Sequence, residues 1–201
     1  MLGFLFSRTE TATAFLNGFA DGRFDNVESG TPVQVGSLLV AVTGPGKINA
    51  TLATERLLRE HDVDPLVHLG PCTALSDEWT PGTLVGISSV LEGDRVELDS
   101  PAYPQMPLSL PFETPSEGVL VSQDHTPDNP NNGMGYWARL ADVRDEIGYA
   151  IAYVAAQHGT PCHIAKALAD SSAPSPPEEP PETRDILCSF AQQVATDKQT
   201  G

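Results

Sequence analysis

Apolar runs of strand length alternate with segments of helical spacing along the chain, and this order restricts the fold more than any other feature. Leu2–Phe6 is a short apolar strand, and Thr9–Phe19 follows with helical spacing through Ala12, Phe15, Leu16 and Phe19. Val33–Val42 reads as one strand with a buried run from Leu38 to Val42. Lys47–Glu60 reads as a helix with Ile48, Leu52, Ala53, Leu57 and Leu58 on the core face, and with Glu55, Arg56, Arg59 and Glu60 largely opposite. Pro65–Leu69 is a strand, Thr83–Leu91 and Arg95–Leu98 pair around Glu92-Gly93-Asp94, and Gly118–Ser122 is another strand. Leu140–Gln157 reads as a helix ending before Gly159, a good stop. Cys162–Leu168 is a strand, 172–183 a Pro/Glu-rich loop, and Arg184–Thr196 a closing helix. Strands separated by helices predict an α/β fold, with helices covering both faces of a sheet.

A chain of 201 residues suits a single domain over 1–201 with a sizeable core. No run of 18 apolar residues exists, so no membrane-spanning helix is expected. MLGFLFSRTE lacks a basic region before its apolar run and reads as a first strand, not a secretory signal. Cys72, Cys162 and Cys188 are odd in number and lack CxxC spacing, which reads as reduced thiols in a cytoplasm. Asp plus Glu number 27 against 11 Lys plus Arg, a net charge of −16. Such a surface repels nucleic acid and anionic membranes, so neither is expected as a partner. Lys47, Lys166 and Lys198 are the only lysines, and few lysines beside abundant Asp read either as adaptation to high salt or as an ordinary acidic protein with a charged tail.

Four stretches carry chemistry. TGPGKINA, Thr43–Ala50, joins a buried strand to a helix; it lacks the spacing of a phosphate loop, and Ile48 stands where a magnesium-holding hydroxyl would be. It leaves a tight turn at Gly46, with backbone N–H groups suited to a water, a phosphate or another polar group, or simply a turn that needs glycine. HLGPCTAL, His68–Leu75, is a strand end entering a small-residue loop, where Cys72 and Thr73 would let a flat ligand approach closely, or simply a loop. TPCHIAKALADSS, Thr160–Ser172, is an apolar strand that stops on Asp170, at the kind of strand end where open α/β sheets place ligands. A helix cap or an exposed loop explains a terminal Asp equally well. His61, His68, His125, His158 and His163 have no metal-ligand spacing, so no metal is expected, and no Gly-x-Ser-x-Gly elbow occurs.

TGPGKINATLATERLL, HLGPCTALSDEWTPGTLV, GVLVSQDH and DEIGYAIAYVAAQHGTPCHIAKALAD occur in that order. The series resembles the purine nucleoside phosphorylase/nucleosidase superfamily. The likeness is greatest to its hydrolytic branch, the methylthioadenosine/S-adenosylhomocysteine nucleosidases and futalosine hydrolases. It covers roughly Leu2 to Ser172. The resemblance implies a three-layer α/β/α sandwich around a mixed, twisted sheet, a homodimer, a small-molecule nucleoside substrate and no cofactor. It implies cleavage of an N-glycosidic bond to a purine. Asp170 matches the position of the family's acid, which protonates the leaving base at N7. Glu10 is the nearest match to the glutamate that orients water, and an acid favourable to a helix start is its plainer explanation.

The departures bear on specificity. The glutamate of D-M-E or E-M-E that binds ribose hydroxyls falls on Ile147, with Glu146 one residue away. The S-G-D-x-F segment, whose aromatic stacks the base, becomes Ser122-Gln123-Asp124-His125-Thr126, leaving His125 and Thr126 to meet the purine edge. The arginine of the last strand becomes Lys166. A water-using nucleosidase is the leading expectation. A phosphate-dependent phosphorylase would need an arginine cluster, for which Arg8 and Arg23 are the candidates. A weakly active or purely nucleoside-binding homologue is the third.

Overall fold

The computed structural model describes residues 1–19, 24, 27–95, 103–124, 134–169 and 180–200. The strands are β1 (Leu2–Phe6), β2 (Val33–Val35), β3 (Leu38–Val42), β4 (Leu66–Ala74), β5 (Leu84–Glu92), β6 (Gln105–Pro107), β7 (Ser116–Ser122), β8 (Val143–Asp145) and β9 (Cys162–Leu168). The helices are α1 (Thr9–Phe19), α2 (Lys47–Glu60), α3 (Met134–Trp137), α4 (Gly148–His158) and α5 (Pro181–Thr200).

One mixed sheet holds all nine strands. β3, β1, β4 and β9 run parallel in that order, and β5, β7 and β8 form a second parallel block. The blocks meet antiparallel at two seams, β9 with β5 and β8 with β4. Five strands, β4, β9, β5, β7 and β8, therefore close into a ring, while β1, β3 and β2 extend from it.

Alternation along the strands divides the core into two apolar layers. Phe4 and Phe6 of β1 and Val40 and Val42 of β3 pack with Phe15 and Leu16 of α1 and with Leu187, Ala191 and Val194 of α5. Leu5, Leu39 and Ala41 face the other way, toward Ala50 and Leu57 of α2 and Ile151 and Ala155 of α4. The Phe4 and Phe15 rings meet edge-on at 5.2 Å, a favoured aromatic geometry. This is the expected α/β fold, a mixed sheet with helices on both faces. None of the described helices is long and apolar enough to cross a membrane.

Three expectations are corrected. Val33–Val42 is two antiparallel strands, because Gly36 turns the chain at φ 59°, a left-handed conformation that favours glycine. Ile48 and Leu52 do not face the core and are 75% and 63% exposed. α2 docks through Ala50, Ala53, Thr54 and Leu57 instead. Leu140–Gln157 is not one helix: Val143–Asp145 joins the sheet between β4 and β7, and α4 starts only at Gly148. Backbone bonds at Asp142, to Leu75 and Val119, hold that stretch extended. Apart from Arg95, the expected strand Arg95–Leu98 lies outside the described residues, and β6 pairs antiparallel with β5.

Candidate active site

A cleft enclosing about 740 Å³, part of it open to solvent, lies where the ends of β1, β3, β7, β8 and β9 converge on β4. Ser7 and Arg8 follow β1 and Gly44 and Pro45 follow β3, while Pro71, Cys72 and Thr73, expected in a loop, lie within β4, held extended by pairing with β9 and β8. Gln123 follows β7, while Arg144, Asp145, Glu146 and Ile147 span the end of β8 and the start of α4. Lys166 of β9 and Ala169 complete the described wall.

Beneath the cleft lies a buried ionic network. Lys166 Nζ is 2.6 Å from Asp145 Oδ2, with side chains 1% and 4% exposed. Lys166 Nζ also lies 2.7 Å from His68 Nε2, and His68 Nδ1 lies 2.8 Å from the Leu5 carbonyl. The carbonyl can only accept, so Nδ1 carries the proton and Nε2 accepts from the ammonium. Asp145 also accepts from Ser122 Oγ at 2.6 Å and from the Gly148 N–H, while Ser122 Oγ accepts from the Tyr149 N–H at 2.8 Å. Asp145 and Ser122 thus satisfy the first N–H groups of α4, the need that every helix start creates. Burial alone would raise the Asp145 carboxyl, but the Lys166 ammonium outweighs it and holds the group well below the usual range.

His68 carries a pH dependence. Burial, then the Lys166 charge, lowers it to about 4 from 6.5. An imidazole depressed in the fold contributes stability in full above its unfolded value and loses it as pH falls toward the folded value. Stability is therefore expected to drop by about 2 kcal/mol between pH 7 and pH 5 from this group. Urea unfolding at the two pH values measures the drop, and His68→Asn should remove most of it; an unchanged drop in that variant rejects the neutral, buried His68.

The G-x-G-K turn has a different occupant from a ligand phosphate. The Lys47 N–H, at the start of α2, donates to Asp124 Oδ1 at 2.8 Å. Lys47 Nζ binds Glu92 and, at 2.6 Å, Asp94, which also accepts the Asp124 N–H at 2.7 Å. Burial lowers the Lys47 ammonium, and the Asp94 and Glu92 carboxylates raise it by more. Gly46 has φ 81°, needs no side chain, and does not line the cleft.

Cys72, Thr73, Glu146 and Ile147 are brought together in the cleft wall. Burial pushes the Cys72 thiol up to about 12, which makes it a neutral wall rather than a nucleophile. Ile147 is also a core residue, 3% exposed. Burial lowers the Arg144 guanidinium, and the nearby Glu146 charge offsets part of that shift. Glu10 is exposed on the first turn of α1 and does not line the cleft. Asp170, His125, Thr126 and Arg23 lie outside the described residues. Asp145, His68, Arg144 and Ser7 were not foreseen. The sequence did carry one signal for Asp145, a carboxylate just ahead of a glycine and an apolar helix, where a helix start favours negative charge. Among the described residues no group of three His, Cys, Asp or Glu side chains is set to hold a metal.

Solved structures of several nucleosidases share the fold. The 5′-methylthioadenosine/S-adenosylhomocysteine nucleosidase of Helicobacter pylori, in complex with butyl-thio-DADMe-Immucillin-A, aligns with TM-score 0.79 at 16% identity, over 98% of this chain and 97% of that one. The Neisseria meningitidis enzyme of the same name, in complex with methylthio-immucillin-A, aligns with TM-score 0.76 at 17% identity, over 98% of each chain. The native futalosine hydrolase of Helicobacter pylori aligns with TM-score 0.72 at 19% identity, over 97% and 94%. No curated protein sequence matches the chain. The sequence model of the phosphorylase superfamily matches residues 7–124, more than half of the length, so the chain belongs to that superfamily.

Proposed function

We propose that the chain is a one-domain nucleosidase that uses water to cleave the N-glycosidic bond of a purine-type nucleoside. The observation that carries this over phosphorolysis is the start of α2, where the chain's own Asp124 accepts the Lys47 N–H and Glu92 and Asp94 take up the Lys47 ammonium. A phosphate there would meet three carboxylates. The methylthioadenosine/S-adenosylhomocysteine nucleosidases and futalosine hydrolases that share the fold support the same reading. Arg8 and Arg144 in the cleft favour phosphorolysis as a second reading. Release of free base from a nucleoside panel, with and without phosphate, separates the two. Release that needs no phosphate supports the nucleosidase, release that requires it supports the phosphorylase, and binding without release leaves a binding protein.

In this reading Asp170 is the general acid. Ala169, just before it, lines the cleft and donates its N–H to the Cys72 carbonyl at 3.0 Å, so β9 delivers the chain to the cleft wall.

Sugar specificity follows from Glu146 and Ile147. Asp145 is committed to Lys166 and Ser122, so Glu146 is the cleft carboxylate placed to accept ribose hydroxyls. Ribonucleosides should then exceed 2′-deoxynucleosides in kcat/KM by about tenfold or more, and Glu146→Gln should erase most of that ratio. A wild-type ratio below tenfold would instead put the apolar Ile147 against the sugar.

A homodimer is proposed across the face of α2 and α4. Ile48, Leu52 and Tyr153 are 75%, 63% and 49% exposed there, large apolar groups on adjacent helices. Leu52→Glu should convert the dimer to a monomer in light scattering without loss of helix content; a dimer that persists rejects this interface.

A further inference from the structure

Among the described residues, three buried side-chain polar atoms have no hydrogen-bond partner: Ser7 Oγ, Thr13 Oγ1 and Gln123 Oε1. Ser7 and Gln123 line the same cleft. Gln123 is 8% exposed. Its main-chain N–H donates to the Asp145 carbonyl at 2.8 Å, and its Nε2 donates to the Gly93 carbonyl at 3.4 Å. The second bond sets the amide orientation, since the reverse would place Oε1 against another carbonyl oxygen. The side chain also depends on glycine at position 93, where a Cβ would come within 2.4 Å of Gln123 Cγ. A buried acceptor held on two sides and left without a donor is costly in an interior, and such groups call for an explanation.

We propose that Gln123 is a specificity-determining residue whose Oε1 accepts a hydrogen bond from a neutral donor of the bound nucleoside, either an amino group of the base or a sugar hydroxyl. The ring nitrogens of a neutral, glycosylated 6-aminopurine are all acceptors and would face Oε1 lone pair to lone pair. Only an N–H or O–H satisfies it. Ser7 Oγ can donate or accept, so it fits many ligands and discriminates less. The acceptor is a departure of this chain, because glycine stands at this place in the S-G-D-x-F pattern it resembles. The identity of the ligand rests on the nucleosidase reading, while the presence of the acceptor does not.

The test compares adenosine, purine riboside, which lacks the amino group, and 2′-, 3′- and 5′-deoxyadenosine on the wild type and Gln123→Leu. Kd is measured for each, and kcat/KM where base is released. Wild type should favour adenosine over one of the deleted analogues by about tenfold or more, and Gln123→Leu should flatten that one ratio. Flattening against purine riboside identifies the base amino group; flattening against a deoxy analogue identifies that hydroxyl. Ratios unchanged in Gln123→Leu overturn the proposal. If Gln123→Leu melts early, Gln123→Gly gives the same comparison with the main-chain bond to Asp145 kept. Binding of probes without base release overturns the nucleosidase reading alone, because the Kd ratios still decide Gln123; binding of none of the probes overturns both.

Discussion

Asp170→Asn is expected to lower base release by about 10²–10⁴-fold, the usual worth of a positioned general acid. A purine leaves as an anion unless its ring is protonated as the bond to the sugar breaks, and asparagine keeps the shape of aspartate without the proton. The described end of β9 supports the assignment from one side. Seven consecutive buried residues, Cys162 to Leu168, bring the chain to Ala169 in the cleft wall. The melting temperature should stay near that of the wild type, since the exchange changes no side-chain volume. A second comparison separates acid catalysis from lost binding. A riboside with a leaving group stable as an anion, such as p-nitrophenol, needs no proton, so Asp170→Asn should slow it far less than a purine nucleoside. Near-normal turnover of purine nucleosides, or an equal loss on both substrates, removes Asp170 from the acid's role.

The largest expected loss of stability belongs to Lys166→Met. It leaves the Asp145 carboxylate buried at 4% exposure without its cation and takes the donor from His68 Nε2. Breaking a buried pair by removing one partner costs about 3–5 kcal/mol. That is a large share of the 5–15 kcal/mol typical of a domain. Urea unfolding measures it. Asp145→Asn combined with Lys166→Met removes both charges and keeps an oxygen for the Gly148 N–H. The double variant should therefore recover roughly 2 kcal/mol or more of the single variant's loss, as contacting sites do when they are coupled. Losses that simply add would show that Lys166 and Asp145 do not stabilise each other.

The sequence by itself determined the alternation of strands and helices, the buried runs Leu2–Phe6, Leu38–Val42 and Cys162–Leu168, and the small-residue stretch at Cys72 and Thr73. These are local properties: a period of two or of 3.6, or a run of apolar side chains, shows without knowledge of the partner. Three features were settled only by tertiary structure. Val143–Asp145 reads as helix in its own window, yet hydrogen bonds from β4 and β7, distant in the chain, make it a strand. Ile48 and Leu52 match a core face by spacing, but the sheet surface beneath α2 accepts the small Ala50 and Ala53 instead. The ionic network joins residues 68, 122, 145 and 166, and nothing local to any of them names the other three. A charge deep in a core is tolerated only where a counter-charge arrives from elsewhere in the chain. The register of β4 beside β9, Gly70 opposite Lys166 and His68 two residues earlier, brings the counter-charge there.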